Sequence, residues 1–184
     1  MLQLAQTDDL PAHRLELFGS GRLERMAHSL DLKESVVMPI PAAEAFHRTL
    51  SIPLPELFKR WHVPFPPVKE VREQTGEWGT AGQTRTVALA GGGSFLEELT
   101  SVDPPRSFGY RLTDITGPMA LLAGHVVGEW TFTPAEGGTE VTWHWVIHPK
   151  SPLTAWLLPP VGRRWQGYAR QSLRHLSSTL TASR

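Results

Sequence analysis

Two stretches near the C-terminal end constrain the fold of this chain more than any other feature. Residues 125–133 (HVVGEWTFT) and 139–148 (TEVTWHWVIH) flank a turn-forming segment, Pro134-Ala135-Glu136-Gly137-Gly138. Folding one stretch back on the other so that Thr133 meets Glu140 sets Trp130 opposite Trp143 and Phe132 opposite Val141. Side chains alternate across a strand, so Trp145 and Ile147 fall on that same side. Rings this large on two adjacent strands exceed what a thin core accepts. The pattern predicts a curved sheet wrapped around a cavity.

The remaining elements follow from periodicity and punctuation. Glu34–Met38 reads as a strand ended by Pro39 and Pro41, and Ala42–Leu50 as a helix with Ala42, Phe46 and Leu50 on one stripe. Leu54–Trp61 reads as a second short helix, followed by a proline-bearing loop over 62–67. Strands are expected at 68–75, 84–89, 94–102 and 107–113, joined by short turns rich in Gly and Pro, which favour an antiparallel meander. A long amphipathic helix closes the chain: Val161, Trp165, Ala169, Ser172, Leu176 and Leu180 share one stripe, with Arg163, Gln166, Arg170 and Arg174 opposite. Pro159 and Pro160 read as preceding it, with 151–158 a separate lead-in turn. Residues 1–33 read as an extension, mobile or loosely docked, with a short helix suggested by Leu23, Met26, Ala27 and Leu30.

The order strand, two helices, six strands, long helix is an α+β helix-grip arrangement, and the residues resemble a known family. Gly82-Gln83-Thr84-Arg85-Thr86-Val87, Gly93 to Glu97, Leu99 to Pro105, Phe108-Gly109-Tyr110, Gly128 to Phe132, Gly138 to Trp143, and Trp165 with Tyr168 are similar to the polyketide cyclase/dehydrase-like branch of the START-related SRPBCC superfamily. The likeness covers roughly 34–180, so 34–184 is taken as the START-like domain. It implies an antiparallel sheet of about seven strands gripping the C-terminal helix around an apolar pocket. Members bind lipids, polyketides or other hydrophobic ligands, and a few are enzymes.

The candidate site residues come from register. Folding 84–89 on 94–102 about Gly91-Gly92 puts Arg85, Val87 and Leu89 on one face with Phe95, Glu97 and Leu99. The next turn adds Phe108, Tyr110 and Leu112. Arg85 and Glu97 then point inward as a charged pair, with Tyr110 as a third hydrogen-bonding group. The expected ligand wall is Arg85, Val87, Glu97, Leu99, Phe108, Tyr110, Leu112, Trp130, Phe132, Trp143, Trp145, Trp165 and Tyr168. Glu97 and Tyr110 are the only candidates for acid–base catalysis. The loops at 54–67, 90–93 and 116–119 are the expected lid.

Composition narrows the function classes. Lys+Arg and Asp+Glu both number 18, so no global basic field points to nucleic acid. Without cysteine there are no disulfides, thiolate catalysis or zinc–cysteine sites. Gly91-Gly92-Gly93 lies between two strands rather than before a helix, so it is a hairpin turn and not a phosphate cradle. His144 and His148 are too far apart along one strand to share a metal, and His125 opposite His148 and Glu129 opposite His144 read as solvated cross-strand pairs. No metal or cofactor is expected, no apolar run reaches the ~20 residues of a membrane span, and the N-terminus reads as having no secretory leader. The sequence therefore predicts a cytoplasmic monomer or homodimer that binds a hydrophobic small molecule. A polyketide cyclase/aromatase-like enzyme using the same pocket, and a protein-interaction module, are the alternatives.

Overall fold

The computed structural model describes residues 29–182. Of the helix suggested by Leu23, Met26, Ala27 and Leu30, the first three lie outside them and Leu30 is strand rather than helix. Seven strands form one antiparallel sheet in the order β1-β7-β6-β5-β4-β3-β2. They are β1 (Leu30–Met38), β2 (Val68–Arg72), β3 (Thr84–Leu89), β4 (Ser94–Asp103), β5 (Ser107–Thr113), β6 (Ala123–Ala135) and β7 (Gly138–Pro149). Helices α1 (Ala42–Ser51) and α2 (Leu54–Leu57) follow β1, a 3-10 turn (Pro118–Leu121) precedes β6, and α3 (Pro152–Ala155) leads into the long α4 (Leu158–Ala182).

The hairpin register is the one the tryptophans require. Trp130 faces Trp143, Phe132 faces Val141, and the strands run on to Ala135 opposite Gly138. Gly137 takes φ 84° in that turn, a conformation open to glycine. Along β7, Val141, Trp143, Trp145 and Ile147 are all buried, so one sheet face carries the core. Helix α4 lies across that face. Trp165 packs on Trp143 and Trp145 with ring centroids 5.2 and 5.5 Å apart. A Cβ on Gly162 would come within 2.8 Å of Leu30 and 3.0 Å of Leu32, so the absent side chain lets α4 approach β1.

Several element boundaries differ from the sequence reading: α2 ends at Leu57 rather than Trp61, β2 ends at Arg72 rather than at 75, and β6 and β7 run a residue or two further at their ends. Strand β1 begins at Leu30 rather than Glu34, because β7 offers partners as far as Ile147. Helix α4 begins at Leu158, so Pro159 and Pro160 sit inside its first turn, where a missing N–H leaves no hydrogen bond unmade. Helix α1 seals the end of the structure. Phe46 is fully buried with its ring edge-on to Phe108 and Phe132, and Arg48 donates from Nη1 to the carbonyl of Leu180 at 2.5 Å. A cation on the last carbonyls of a helix is favourable.

Truncating Phe46 to Ala therefore lowers stability by about 3–5 kcal/mol in urea denaturation. A loss below about 1 kcal/mol would show that α1 is not part of the core.

Candidate functional site

Between the sheet, α2 and the loop that follows it lies a cavity of about 100 Å³. Its size is set by the aromatic side chains. Trp130 and Trp143 stack at 5.0 Å with planes 12° apart, and Trp143 meets Trp145 edge-on at 5.4 Å. The indoles thus fill much of the interior themselves, and the free space is narrower than a strongly curved, open sheet would leave. Phe58 and Phe65 stack on Tyr168 of α4 at 5.7 and 5.1 Å, closing the side opposite the sheet.

Tyr110 organises this wall. Its hydroxyl oxygen accepts hydrogen bonds from the indole Nε1 of both Trp143 and Trp145, each at 2.6 Å. Gly128, opposite Tyr110 on β6, makes this possible: a Cβ there would lie 2.1 Å from the tyrosine ring. Burial raises the pKa of Tyr110 far above the ordinary phenol value, and burial followed by the proximity of Tyr110 does the same to Tyr168. Burial thus favours the neutral form of both phenols, and Tyr110 is the one that accepts hydrogen bonds on this wall. Tyr110 has no acceptor for its own proton among the described residues.

Arg85 and Glu97 form the charged corner. They face each other directly across β3 and β4, and Arg85 Nε donates to Glu97 Oε2 at 2.7 Å. Each is only 7% exposed. Trp78 covers the guanidinium with its ring centroid 3.8 Å from Cζ. The terminal nitrogens of Arg85 and the second oxygen of Glu97 have no partner among the described residues, although both side chains line the cavity. Thr49 of α1 adds a buried hydroxyl on the wall, also without a partner among the described residues.

Of the residues singled out from sequence, Arg85, Glu97, Phe108, Tyr110, Leu112, Trp130, Trp143, Trp145 and Tyr168 line this cavity. Val87, Leu99, Phe132 and Trp165 do not. They are buried in the packed core beside it, because the indole stack and the α1 ring cluster occupy the space they were expected to border. Among the expected lid segments, Leu54, Leu57, Phe58, Phe65, Pro66, Thr116 and Met119 line the wall, whereas 90–93 do not. That segment instead ties loops together: the Ala90 N–H donates to Pro67 O, and just after it the Ser94 N–H at the start of β4 donates to Thr116 Oγ1. Trp78 was not anticipated. Its only sequence signal is a large ring inside a glycine-rich turn.

On the outer face His125 and His148 stack at 4.1 Å with planes 10° apart. Partial burial, then the charge of neighbours including Arg111, lowers both pKa values, so the pair is neutral near pH 7. His144 sits opposite Glu129 as expected but pairs with Asp31 of β1, Nε2 to Oδ1 at 2.9 Å. No group of three or more potential metal ligands exists among the described residues.

Comparison with known proteins gives one family. The model for polyketide cyclase / dehydrase and lipid transport proteins matches residues 29–181. No curated protein matches the chain. Among solved structures, protein MLL2253 from Mesorhizobium loti is similar with TM-score 0.61 at 15% identity, covering 84% of this chain and 99% of that one. Ginseng major latex-like protein 151 from Panax ginseng gives TM-score 0.61 at 12% identity, covering 82% and 97%. Ara h 8.0201 gives 0.60 at 19%, covering 84% and 99%. At these identities the likeness establishes the fold, a helix-grip sheet closed by its C-terminal helix.

The buried ion pair makes a sharp stability prediction. Arg85→Ala leaves the Glu97 carboxylate buried without a counter-charge and costs about 3–5 kcal/mol in urea denaturation, whereas the double replacement Arg85→Met/Glu97→Leu is nearly neutral or stabilising. Equal losses in the single and double variants would show that the pair is solvated.

Proposed function

The chain belongs to the polyketide cyclase / dehydrase and lipid transport family, and on that premise we propose that it holds a small, neutral, largely apolar molecule in the cavity beside Tyr110. One observation carries this reading: unused hydrogen-bonding capacity is gathered on the wall of an apolar cavity. The Arg85 terminal nitrogens, the free Glu97 oxygen, the Tyr110 hydroxyl proton and the Thr49 hydroxyl all belong to cavity-lining residues. Of these the Thr49 hydroxyl is a fully buried atom without a partner among the described residues, and the others are open bonding positions beside it that an occupant would complete.

The wall also defines the occupant. Arg85 and Glu97 neutralise each other, so a ligand charge would enter a dry site with no net counter-charge and bear the full desolvation cost. A hydroxyl or carbonyl matches better: the guanidinium edge donates to an oxygen and the carboxylate accepts from a hydroxyl. The indole and phenyl faces favour a flat ring. At about 100 Å³ the space compares with the roughly 150 Å³ engineered cavity that takes benzene. A single-ring molecule is the size the walls approach as they stand, and anything larger requires the 54–67 segment to move.

Nothing in this arrangement singles out a proton-transfer step. Tyr110 is held protonated and has both lone pairs engaged by indoles, so it orients rather than abstracts. Simple binding is therefore favoured over cyclisation. The test is an isothermal calorimetric titration with the neutral single-ring probe phenol. The expected result is saturable one-to-one binding that Leu112→Trp, which fills the cavity, weakens at least about tenfold while leaving the melting temperature within a few degrees. Binding that is unsaturable, or indifferent to Leu112→Trp, would contradict the proposal.

A further inference from the structure

Outside the cavity, a charge asymmetry of the sequence coincides with an exposed apolar tip of the structure. From residue 141 to the end the chain carries no Asp or Glu, yet it carries Lys150, Arg163, Arg164, Arg170, Arg174 and Arg184. A protein with zero formal charge thus concentrates positive charge in its last elements. At the head of that region the apolar side chains point outward. Leu153 is 83% exposed, Trp156 85% and Leu157 56%, while Leu121 of the neighbouring 3-10 turn is 72% exposed. The Lys150 N–H donates to Leu122 O at 2.9 Å, which joins the 3-10 turn to the segment leading into α3.

Local structure holds these side chains out. Ser151 caps α3, accepting from the Thr154 N–H while Thr154 Oγ1 accepts from the Ser151 N–H, so the short turn is preset. Leu158 then turns inward and is buried, leaving Trp156 and Leu157 on the outside. Arg163 and Arg164 follow within the first two turns of α4 and are exposed. Neither they nor Lys150 form an ion pair with an acidic side chain among the described residues. Exposed large apolar side chains rimmed by unpaired cations fit a solvent that is apolar inside and anionic at its surface.

We propose that the tip formed by α3, the start of α4 and the 3-10 turn docks on an anionic lipid bilayer. Trp156, Leu153 and Leu121 enter the interface, and Lys150, Arg163 and Arg164 meet the headgroups. No helix among the described residues is long and apolar enough to cross a membrane, so the association is peripheral. An acidic protein partner would use the cations but give little reason to expose an indole, two leucines and their flanking prolines together. The docking does not depend on the cavity being occupied. The same 3-10 turn does, however, contribute Met119 to the cavity wall, which places the bilayer beside that wall.

Flotation of the full chain with vesicles tests this, comparing phosphatidylcholine alone with phosphatidylcholine mixed with phosphatidylglycerol. The protein is expected to float with the anionic vesicles and not the neutral ones. Arg163→Gln/Arg164→Gln weakens binding about tenfold, and Leu153→Glu/Trp156→Glu abolishes it without changing the melting temperature. Brominated lipid quenches the intrinsic fluorescence on binding, and Trp156→Phe removes most of that quenching while binding persists, a readout that does not depend on the charged variants folding. Absence of flotation, equal flotation with neutral vesicles, or quenching unchanged by Trp156→Phe would overturn the proposal. So would a concentration-dependent dimer that Leu153→Glu/Trp156→Glu dissociates, since it would assign the tip to a second copy of the chain.

Discussion

One buried oxygen sets the geometry of this protein's interior. The Tyr110 hydroxyl accepts from two indole N–H groups that would otherwise be stranded in an apolar core, where each unsatisfied donor costs about 1–3 kcal/mol. The arrangement exists because Gly128 has no side chain, so the tyrosine ring can lie against strand β6 and reach between Trp143 and Trp145. Those indoles are thereby locked in orientation. Trp143 in turn locates Trp130, Trp165, Phe58 and Tyr168, each with its ring centroid within 6 Å. The aromatic mass becomes a wall with a fixed shape rather than a loose filling.

That wall explains why the cavity is small and why its polar groups matter. Stacked rings at van der Waals spacing leave no room among themselves, so the free space is pushed toward β3, β4 and the short helices. There the Arg85–Glu97 pair sits under Trp78. In such low-dielectric surroundings Arg85 and Glu97 hold each other firmly, yet each keeps an edge free. The two features act together. The rings select for apolar bulk, and the pair selects for a neutral oxygen function on that bulk.

How much of this was legible in the sequence depends on what each residue's position relied on. Where one sheet face is buried, a slip of one residue would turn every large side chain outward, so the alternation around Trp130, Trp143 and Trp145 specified the hairpin register, and the same logic paired Arg85 with Glu97. Leu30 was harder to place, since one leucine fits a helical stripe and a strand equally well. Only the length of β7 decides it. Trp78 was illegible as cavity wall because loops carry no period, whereas Phe58 and Phe65 fell within the lid expected at 54–67. Trp78 is placed by its tertiary contact with the Arg85 guanidinium, which no local pattern announces. The role of Gly128 did leave a signal: a glycine inside a strand marks a close approach. The exclusion of Val87, Leu99, Phe132 and Trp165 from the cavity was not readable, since free volume is a small difference between large packed volumes.

The account rests on an enclosed apolar space next to the Tyr110 hydroxyl. Xenon enters such spaces and leaves them otherwise undisturbed. Diffraction from a xenon-pressurised crystal would therefore test the claim most directly. The prediction is a single strong xenon site in contact with Tyr110, Leu112 and Phe58, with the indole stack unmoved. An interior without xenon, its space filled by rearranged tryptophan rings, would contradict it.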